Sequence, residues 1–348
     1  RMPVEIELAS HSASQIRRVN VSKAEETFHF QLDKKPTRVC FDPRDWVLKK
    51  LTVVKSREEW LDQLAYSDHV MPRVRAAEKL SEFKADPEVI EALVTAAGND
   101  PFWAVRERAV KTLGGANGEQ VRQTLLAISR ADQKSNVRRQ AIAALKNFKH
   151  EETATTLRQA IADDPSYFAV AAALRSLVAL DHDQVADDLF QALQQDSYRN
   201  LILRAAVDGL INIKAESAET KLRSALEESL TPDRRVAVIA ALARLHPEDP
   251  ELLRQLYDQL GNDRRAVRRA AINAIVKIGD PAAIDTLLRY RGQEETTGAL
   301  RAYDDAIASL REKEKGFNAL RKETTALRKR NLELEERLKK LEEKLGDE

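Results

Sequence analysis

Histidine spacing is the first place to look for chemistry, because two His side chains one helical turn apart can hold a zinc ion. The six His residues are His11, His29, His69, His150, His182 and His246. No two of them are four residues apart, and "HEETA" at His150 has Ala154 where a second zinc ligand would stand. The sequence therefore predicts no metal site, no catalytic centre and no cofactor in this chain.

Other reactive side chains are equally sparse. Cys40 is the only cysteine, so neither an internal disulfide nor a Cys-rich zinc site can form. Its strand-like surroundings favour a small buried apolar residue, and a reactive thiol is the alternative. The stretch "GGANGEQ" from Gly114 to Gln120 lacks the Lys-Ser/Thr of a phosphate-binding loop and is typical of a hairpin loop.

Composition limits the class of protein. The 57 Lys and Arg nearly cancel the 56 Asp and Glu, which argues against a dedicated nucleic-acid binder. No leader opens the sequence, and no apolar run approaches the ~20 residues of a membrane span. We therefore expect a soluble, cytoplasmic protein with neither nucleic acid nor membrane as a partner.

A helical pattern with a period of 32 or 33 residues begins near Ser56. The recurring large apolar position is Leu80, Leu113, Leu145, Leu177, Leu210, Leu242 and Ile275. Four residues earlier, on the same helix face, stands Ala76, Ala109, Ala141, Ala173, Ala206, Val238 or Ala271. A small residue there lets a neighbouring helix approach closely, so the pattern predicts one helical hairpin per repeat.

Arg and Asp form a second register. Arg stands seven residues before the large apolar position at Arg73, Arg106, Arg138, Arg235 and Arg268. Asp, a natural helix N-cap, lies near the same helix starts at Asp68, Asp100, Asp132, Asp164, Asp233 and Asp263. Stacking should bring each Arg near an Asp of its own or the next repeat, as a charge ladder; a basic ligand surface is the alternative. Val170 and Leu203 replace Arg in repeats four and five, which puts the centre of the ladder in doubt.

The stretch "DQKSNVRRQAIAAL", from Asp132 to Leu145, resembles a HEAT-type repeat, and the resemblance covers about residues 56–312. It implies a superhelical scaffold stabilised by contacts between neighbouring repeats. The predicted fold class is mainly α: a right-handed HEAT-like α-α superhelix, preceded by a partial antiparallel β-sandwich and followed by a C-terminal coiled-coil helix. The predicted domains are 1–54, 55–312 and 313–348.

Alternating apolar residues predict four strands near the beginning, at "VEIEL", "QIRRVNV", "ETFHFQL" and "TRVCF". One such sheet leaves an apolar face and an edge uncovered. Either further strands precede residue 1, or the sheet packs on something else.

The order of these strands, the phrase "FDPRDWVLKKL" and the hairpins resembles the C-terminal half of zinc aminopeptidases of the aminopeptidase N and leukotriene-A hydrolase type. Val39, Phe41, Asp42, Pro43 and the run 46–49 match the phrase that ends the family's β-sandwich. The resemblance implies that 1–54 are the end of a truncated sandwich and that a longer parent carries the zinc and the catalytic domain. In a simpler interpretation, Trp46 and Leu48 only pack the first hairpin on the sheet.

These observations leave two main functional hypotheses. In the first, the chain is the non-catalytic C-terminal portion of a zinc aminopeptidase, and its helical domain restricts access to peptide N-termini. In the second, it is a stand-alone HEAT-repeat scaffold without enzymatic activity that binds a peptide or protein partner. A catalytically inactive relative of the peptidases is a third possibility.

A seven-residue period follows Gly316. Leucines take the d position at Leu320, Leu327, Leu334 and Leu341, and the a position holds Phe317, Thr324, Asn331, Leu338 and Leu345. Leucine at d with one Asn at a predicts a parallel two-stranded coiled coil, hence a homodimer. The charges agree, since Glu323 would face Arg328, Arg330 would face Glu335 and Arg337 would face Glu342 of the other copy. A solvated helix packed back on the repeats and an appended zipper are the alternatives.

Overall fold

The computed structural model describes residues 1–10, 13–180, 184–213, 216–227, 230–246 and 249–345. Within its helices, the side chains of residues 216–218, 226–227, 317–322, 333 and 336–345 lie outside the description. The chain divides into two compact units, Arg1–Gly209 and Leu210–Glu348.

The first unit begins with one three-stranded antiparallel sheet in the order β2-β1-β3. Its strands are β1 (Met2–Ala9), β2 (Ser14–Val21) and β3 (Arg38–Phe41). In the register of the sheet, β1 pairs Val4 with Val19 of β2 and Ile6 with Phe41 of β3. The buried side of β1 carries Val4, Ile6 and Leu8, whereas β2 is largely exposed. The described residues thus form one sheet, not the two layers of a sandwich.

The third predicted strand, "ETFHFQL", is wrong. Residues 26–32 have no strand structure, although half-buried Phe28, Phe30 and Leu32 alternate there with exposed residues. Alternation reports which way side chains point, whereas a strand also needs a neighbour to bond with. In the described sheet β1 pairs with both β2 and β3, and neither β2 nor β3 pairs with this segment at its outer edge.

The sheet is joined to the first helix, α1 (Arg57–Tyr66), through buried charged groups. Arg38 of β3 donates from Nη1 to Oδ2 of Asp62 at 3.1 Å, and its Nη2 lies 3.8 Å from Glu7 Oε1. Ser56 and Glu59 start α1 with a capping box, which satisfies main-chain donors that the first helical turn leaves unpaired. Trp60 is buried beside this junction.

Four hairpins follow, each made of a first and a second helix. They are α1 with α2 (Val70–Lys79), α3 (Pro87–Asn99) with α4 (Trp103–Leu113), α5 (Glu119–Ala131) with α6 (Ser135–Leu145), and α7 (Glu151–Asp163) with α8 (Tyr167–Leu180). Next come α9 (Val185–Ala192) and α10 (Leu201–Ile213). Asp86 caps α3 and Pro87 occupies its first turn, as helix N-termini favour.

The repeat register predicted from the sequence is confirmed by burial. Every large apolar position of the register, from Leu80 to Ile275, is at most 1% exposed, and every small residue four positions earlier is fully buried. One pair of side chains therefore recurs in the helix core at every repeat. This explains why the 32- to 33-residue period is visible without any structural information.

The second unit continues the helical pattern. Its helices are α11 (Glu216–Glu227), α12 (Pro232–Leu245), α13 (Pro250–Asp258), α14 (Arg265–Ile278), α15 (Ala283–Arg291) and α16 (Thr297–Leu345). Its core brings Val267 and Ile275 of α14 together with Tyr303, Ile307 and Leu310 of α16.

The last helix differs from the sequence prediction, which began a separate helix at residue 317. α16 starts at Thr297 and runs through Gly316 without a break. A single Gly inside a helix costs only about 1 kcal/mol, too little to end a helix flanked by good helix formers. The first part of α16 packs in the core, and residues 311–316 are exposed.

Candidate functional site

Arg–Asp pairs link consecutive hairpins of the first unit, and we call them the ladder. The pairs are Arg73–Asp100, Arg106–Asp132 and Arg138–Asp164, with Nε–Oδ2 distances of 2.7, 2.7 and 2.8 Å and Nη2–Oδ1 distances of 3.1, 3.1 and 2.9 Å. Each guanidinium thus donates two bonds to the carboxylate of the following hairpin, in the fork geometry that only Arg provides.

The ladder also fixes main-chain groups in the turn before each second helix. Arg106 donates from Nη1 to the carbonyl oxygen of Asp100 at 2.9 Å, and Arg138 donates in the same way to Asp132 at 2.8 Å. Oδ1 of Asp132 accepts from the main-chain N–H of Lys134 at 2.8 Å. These contacts tie one turn to the next, so the starts of the second helices are held in a fixed relation.

Charge is stabilised at these pairs. The side chains of Arg106 and Asp132 are only 14% and 7% exposed. Burial raises the pKa of Asp132, but the hydrogen bonds from Arg106 and from the Lys134 N–H outweigh it and hold that pKa below its usual value. The bond to Asp132 raises the pKa of Arg106, and the bond to Asp164 raises that of Arg138. The guanidinium groups of these pairs face carboxylates, which removes them from any basic ligand surface.

The ladder ends after Asp164, because buried Val170 and Leu203 take the Arg positions of the next two hairpins. In the second unit, Arg268 donates from Nη2 to Glu294 at 2.9 Å and from Nη1 to the Asn262 carbonyl at 3.0 Å. Asp263, which the sequence predicts as an acidic member of the ladder, accepts from Arg268 with its carbonyl oxygen and not with its carboxylate. Arg235 lies in α12.

Exposed apolar side chains stand beside the ladder, at the starts of the second helices. We call them the aromatic row: Met71, Phe102, Tyr167 and Phe168, which are 38, 40, 45 and 56% exposed, together with half-buried Trp103. Met71 and Phe168 hold equivalent positions in the first and fourth hairpins. The rings of Phe102 and Trp103 lie 5.9 Å apart. The third hairpin interrupts the row with polar residues 134–136.

The main chain under the row is bonded to the ladder. The N–H of Phe102 donates to Oδ1 of Asp100 at 2.8 Å, and the N–H of Ser166, just before Tyr167, donates to Asp164 at 2.8 Å. The row does not follow from the repeat register, because that register is defined by buried positions. The signal in the sequence is an aromatic or Met residue two to four positions after the recurring Asp, as after Asp68, Asp100 and Asp164.

An open groove of about 550 Å³ lies next to the first step of the ladder. Leu64 of α1, Glu88 and Glu91 of α3, and the Arg73–Asp100 pair line it. The groove reaches Pro101, the residue before Phe102, so it continues the same surface.

The residues that could do chemistry lie apart from this surface or are inert. Burial raises the pKa of the Cys40 thiol to about 11, and its Sγ donates to Gln63 Oε1 at 3.3 Å. His150 caps α7, where its Nδ1 accepts from the Glu152 N–H at 3.1 Å. His11 and His182 lie outside the described residues. Across the described ranges, no three His, Cys, Asp or Glu side chains are grouped so that they could hold a metal ion.

The described helices include none that combines the length and apolar character of a membrane span. Of the predicted dimer residues, Leu327 and Leu334 are 56% and 48% exposed, and Asn331 is exposed as well. The side chains of Leu320, Leu338, Leu341 and Leu345 lie outside the description.

Comparison with known proteins gives one family. A model of HEAT repeats matches residues 57–146, 123–211 and 219–304, which is more than half of the chain. No curated protein matches.

Several solved structures are similar in fold. Human deoxyhypusine hydroxylase is 18% identical with a TM-score of 0.34, over 74% of this chain and 96% of that one. Yeast importin-beta is 13% identical with a TM-score of 0.46, over 76% and 41%. Aminopeptidase A of Legionella pneumophila is 11% identical with a TM-score of 0.43, over 88% and 45%. Likenesses this weak carry no functional conclusion.

The identification as the C-terminal half of a zinc aminopeptidase is wrong, since the family that matches is that of HEAT repeats. The phrase that suggested it has a local explanation. Asp42 accepts from the N–H groups of Trp46 and Val47, at 3.1 and 2.8 Å, and from Lys49 Nζ at 2.6 Å, so these residues make a turn. Trp46 and Leu48 do not pack the first hairpin on the sheet either, because both are exposed. By its repeats, the chain belongs to the HEAT-repeat family.

Proposed function

We propose that this HEAT-repeat scaffold binds another protein along the aromatic row. The observation that carries the proposal is the recurrence of exposed Met and aromatic side chains at the starts of second helices. Such residues are enriched in the cores of protein interfaces, and they bury a large area with few rotatable bonds. An isolated exposed apolar residue is ordinary, whereas Met or aromatic residues at the same helix start in three of four hairpins recur with the repeat.

The ladder supports this proposal by holding the row in place. Because Asp100 and Asp164 bond to the main chain at Phe102 and Ser166, the aromatic side chains project from fixed turns. A pre-organised surface loses less conformational entropy on binding, which strengthens association. The groove beside Arg73 and Asp100 would receive an adjoining part of the partner, and its Glu88 and Glu91 favour a basic residue there.

Site-specific photo-crosslinking tests the proposal. Benzoylphenylalanine placed at Phe168 should give a discrete adduct with a second protein in cells. The matched control is the same amino acid at Gln159, an exposed residue of the first helix α7. The purified partner should then bind the full chain directly. Identical products from both positions, or none from Phe168, would contradict the proposal.

We also propose that two copies pair through the C-terminal part of α16. Leu327 and Leu334 are exposed in the single chain, at successive d positions of the heptad pattern. A second copy would cover that stripe, place Asn331 against its equivalent and bring oppositely charged flanking residues together. A dimer would present two aromatic rows and so bind a multivalent partner more tightly.

A further inference from the structure

The geometry points to a second interaction surface, at residues 48–54, where we infer that an extended peptide with alternating apolar and acidic side chains adds as a β-strand. This inference goes beyond the proposed function and does not rest on the aromatic row. It concerns the segment between β3 and α1, which has neither helix nor strand structure.

The main-chain hydrogen-bonding groups of this segment are unpaired in the described structure. Within the described part of the chain, no N–H or C=O group of residues 48–55 forms a hydrogen bond with protein. Main-chain groups are obligatory hydrogen-bonding groups, and a run of unpaired ones is a template for another strand.

Its side chains alternate as those of a strand do. Leu51, Val53 and Lys55 are half-buried and line a small cavity with Cys40 of β3 and Trp60 of α1. The residues between them face solvent. Leu48 and Val54 are 104% and 97% exposed, the highest values among the exposed large apolar side chains of the described residues. Period-two exposure means an extended chain with one face on the protein and one free.

Two lysines anchor the segment near its ends. Lys49 donates to Asp42 at 2.6 Å and to Asp45 at 2.7 Å. Lys55 donates to Gln63 and lies 5.1 Å from the centre of the Trp60 ring. The segment is therefore held in its extended form before any ligand arrives, which is what strand addition requires.

The positive charge of the segment favours a peptide that carries acidic residues. Residues 46–54 include Lys49 and Lys50 and no acidic residue, and Lys50 is exposed. On an added strand, the side chain opposite Lys50 would be favoured if acidic, and those beside Leu48 and Val54 would be favoured if apolar. A second copy of this segment carries the same positive charge, so a peptide with acidic residues is the better occupant.

Peptide selection on the full chain tests the inference. A library of displayed random peptides is selected on the wild type and depleted on Thr52→Pro, which removes one main-chain donor while the neighbouring inward side chains remain. Thr52→Ala is the matched control, because it retains the donor. The selected peptide, labelled with fluorescein, should bind the Thr52→Pro variant about fivefold to tenfold more weakly than it binds wild type. It should bind the Thr52→Ala variant as tightly as wild type. Phe168→Ser should leave its affinity unchanged.

Amide hydrogen exchange gives the second readout, which holds even if Thr52→Pro unfolds the chain. Residues 48–54 should exchange rapidly in the free chain and become protected when the peptide is added. Selection that yields no peptide, peptides without acidic–apolar alternation, or protection elsewhere in the chain would overturn the inference. Protection that increases with protein concentration alone would also overturn it, in favour of self-association.

Discussion

Arg106 shows at the residue scale how consecutive hairpins are joined. Its guanidinium bonds the Asp132 carboxylate of the next hairpin and the Asp100 carbonyl of its own turn. Removing one partner of a nearly buried ion pair leaves a charge without compensation, which usually costs several kcal/mol. The ladder is therefore a stabilising feature whose loss should be measurable at a single position.

We expect Arg106→Ala to lower the free energy of unfolding by about 2–4 kcal/mol, because Asp132 stays buried and unpaired. Arg106→Lys should give an intermediate loss, since Lys keeps the charge without the fork. The control is Arg139→Ala, which removes a half-exposed pair with Glu107 at 3.7 Å and should cost below about 1 kcal/mol. Urea unfolding measures all three, and equal losses at Arg106 and Arg139 would contradict this account.

The ladder should also make stability depend on pH. The pKa of Asp132 is lower in the folded chain than its ordinary value. Its contribution is therefore complete above about pH 4, the unfolded value, and is lost as pH falls through the folded value. Asp132→Asn should flatten the decline in stability between about pH 5 and pH 2. Acid titrations of urea midpoints would show it, and identical slopes in wild type and variant would contradict it.

Sequence spacing was enough to predict that ladder Arg and Asp residues would lie close together, because both recur with the repeat. It left open whether an Arg bonds its own repeat or the next one, which depends on how the hairpins stack. It also gave no sign that Glu294 would accept from Arg268. Glu294 follows Arg268 by 26 residues, as Asp132 follows Arg106, but the residue is Glu where the other repeats have Asp.

Helix contacts at the element scale depend on small residues. A Cβ on Gly114, at the end of α4, would lie 2.8 Å from Ala144 Cβ of α6, closer than carbon atoms tolerate. Ala144 has no flexible end that could move away. Gly98 in α3 has nothing within 4 Å of the same position.

We therefore expect Gly114→Ala to lower the free energy of unfolding by about 1–3 kcal/mol, through overpacking. Gly98→Ala should instead raise it by about 0.5–1 kcal/mol, because Ala favours a helix interior. Thermal unfolding compares the two substitutions directly. The packing account would be wrong if both changed the melting temperature in the same direction.

Two elements show the limits of pattern reasoning. Residues 26–32 and 48–54 both alternate like strands, and neither has strand structure in the chain. Periodicity predicts the direction of side chains, whereas strand pairing depends on a neighbour that the local sequence does not contain. The repeat helices were predictable because each is matched by an equivalent helix one period away.

At the scale of the whole molecule, the proposal to test is that two copies pair through the final helix, where Leu327 and Leu334 are exposed. We expect light scattering to report about twice the 39.2 kDa chain mass at micromolar concentration. Deletion of residues 317–348 should return a folded monomer. Asn331→Leu should strengthen association and admit higher oligomers, since the buried amide pair is lost. A truncated chain that stays dimeric would place the interface elsewhere.

The family could be predicted from the sequence because its repeats are read from one chain. A surface that binds a partner could not be predicted, because the exposed residues of the aromatic row do not all occupy the same position of the repeat. Their recurrence is visible only when their distance from the recurring Asp is counted. The single phrase from Phe41 to Leu51 led to a wrong family, because a turn organised by Asp42 can arise in unrelated proteins. Recurrence over many repeats was the more reliable signal.

The affinity of the crosslinked partner for variants of the aromatic row tests the central claim most directly. In calorimetry, the double variant Phe102→Ser/Phe168→Ser should bind at least about a hundredfold more weakly than wild type, since buried aromatic residues each contribute about 2 kcal/mol or more at an interface. The control is Leu288→Ser on α15, which is similarly exposed at 42% but lies outside the row, and it should bind like wild type. Equal affinity of the double variant and the wild type would contradict a binding surface at the aromatic row.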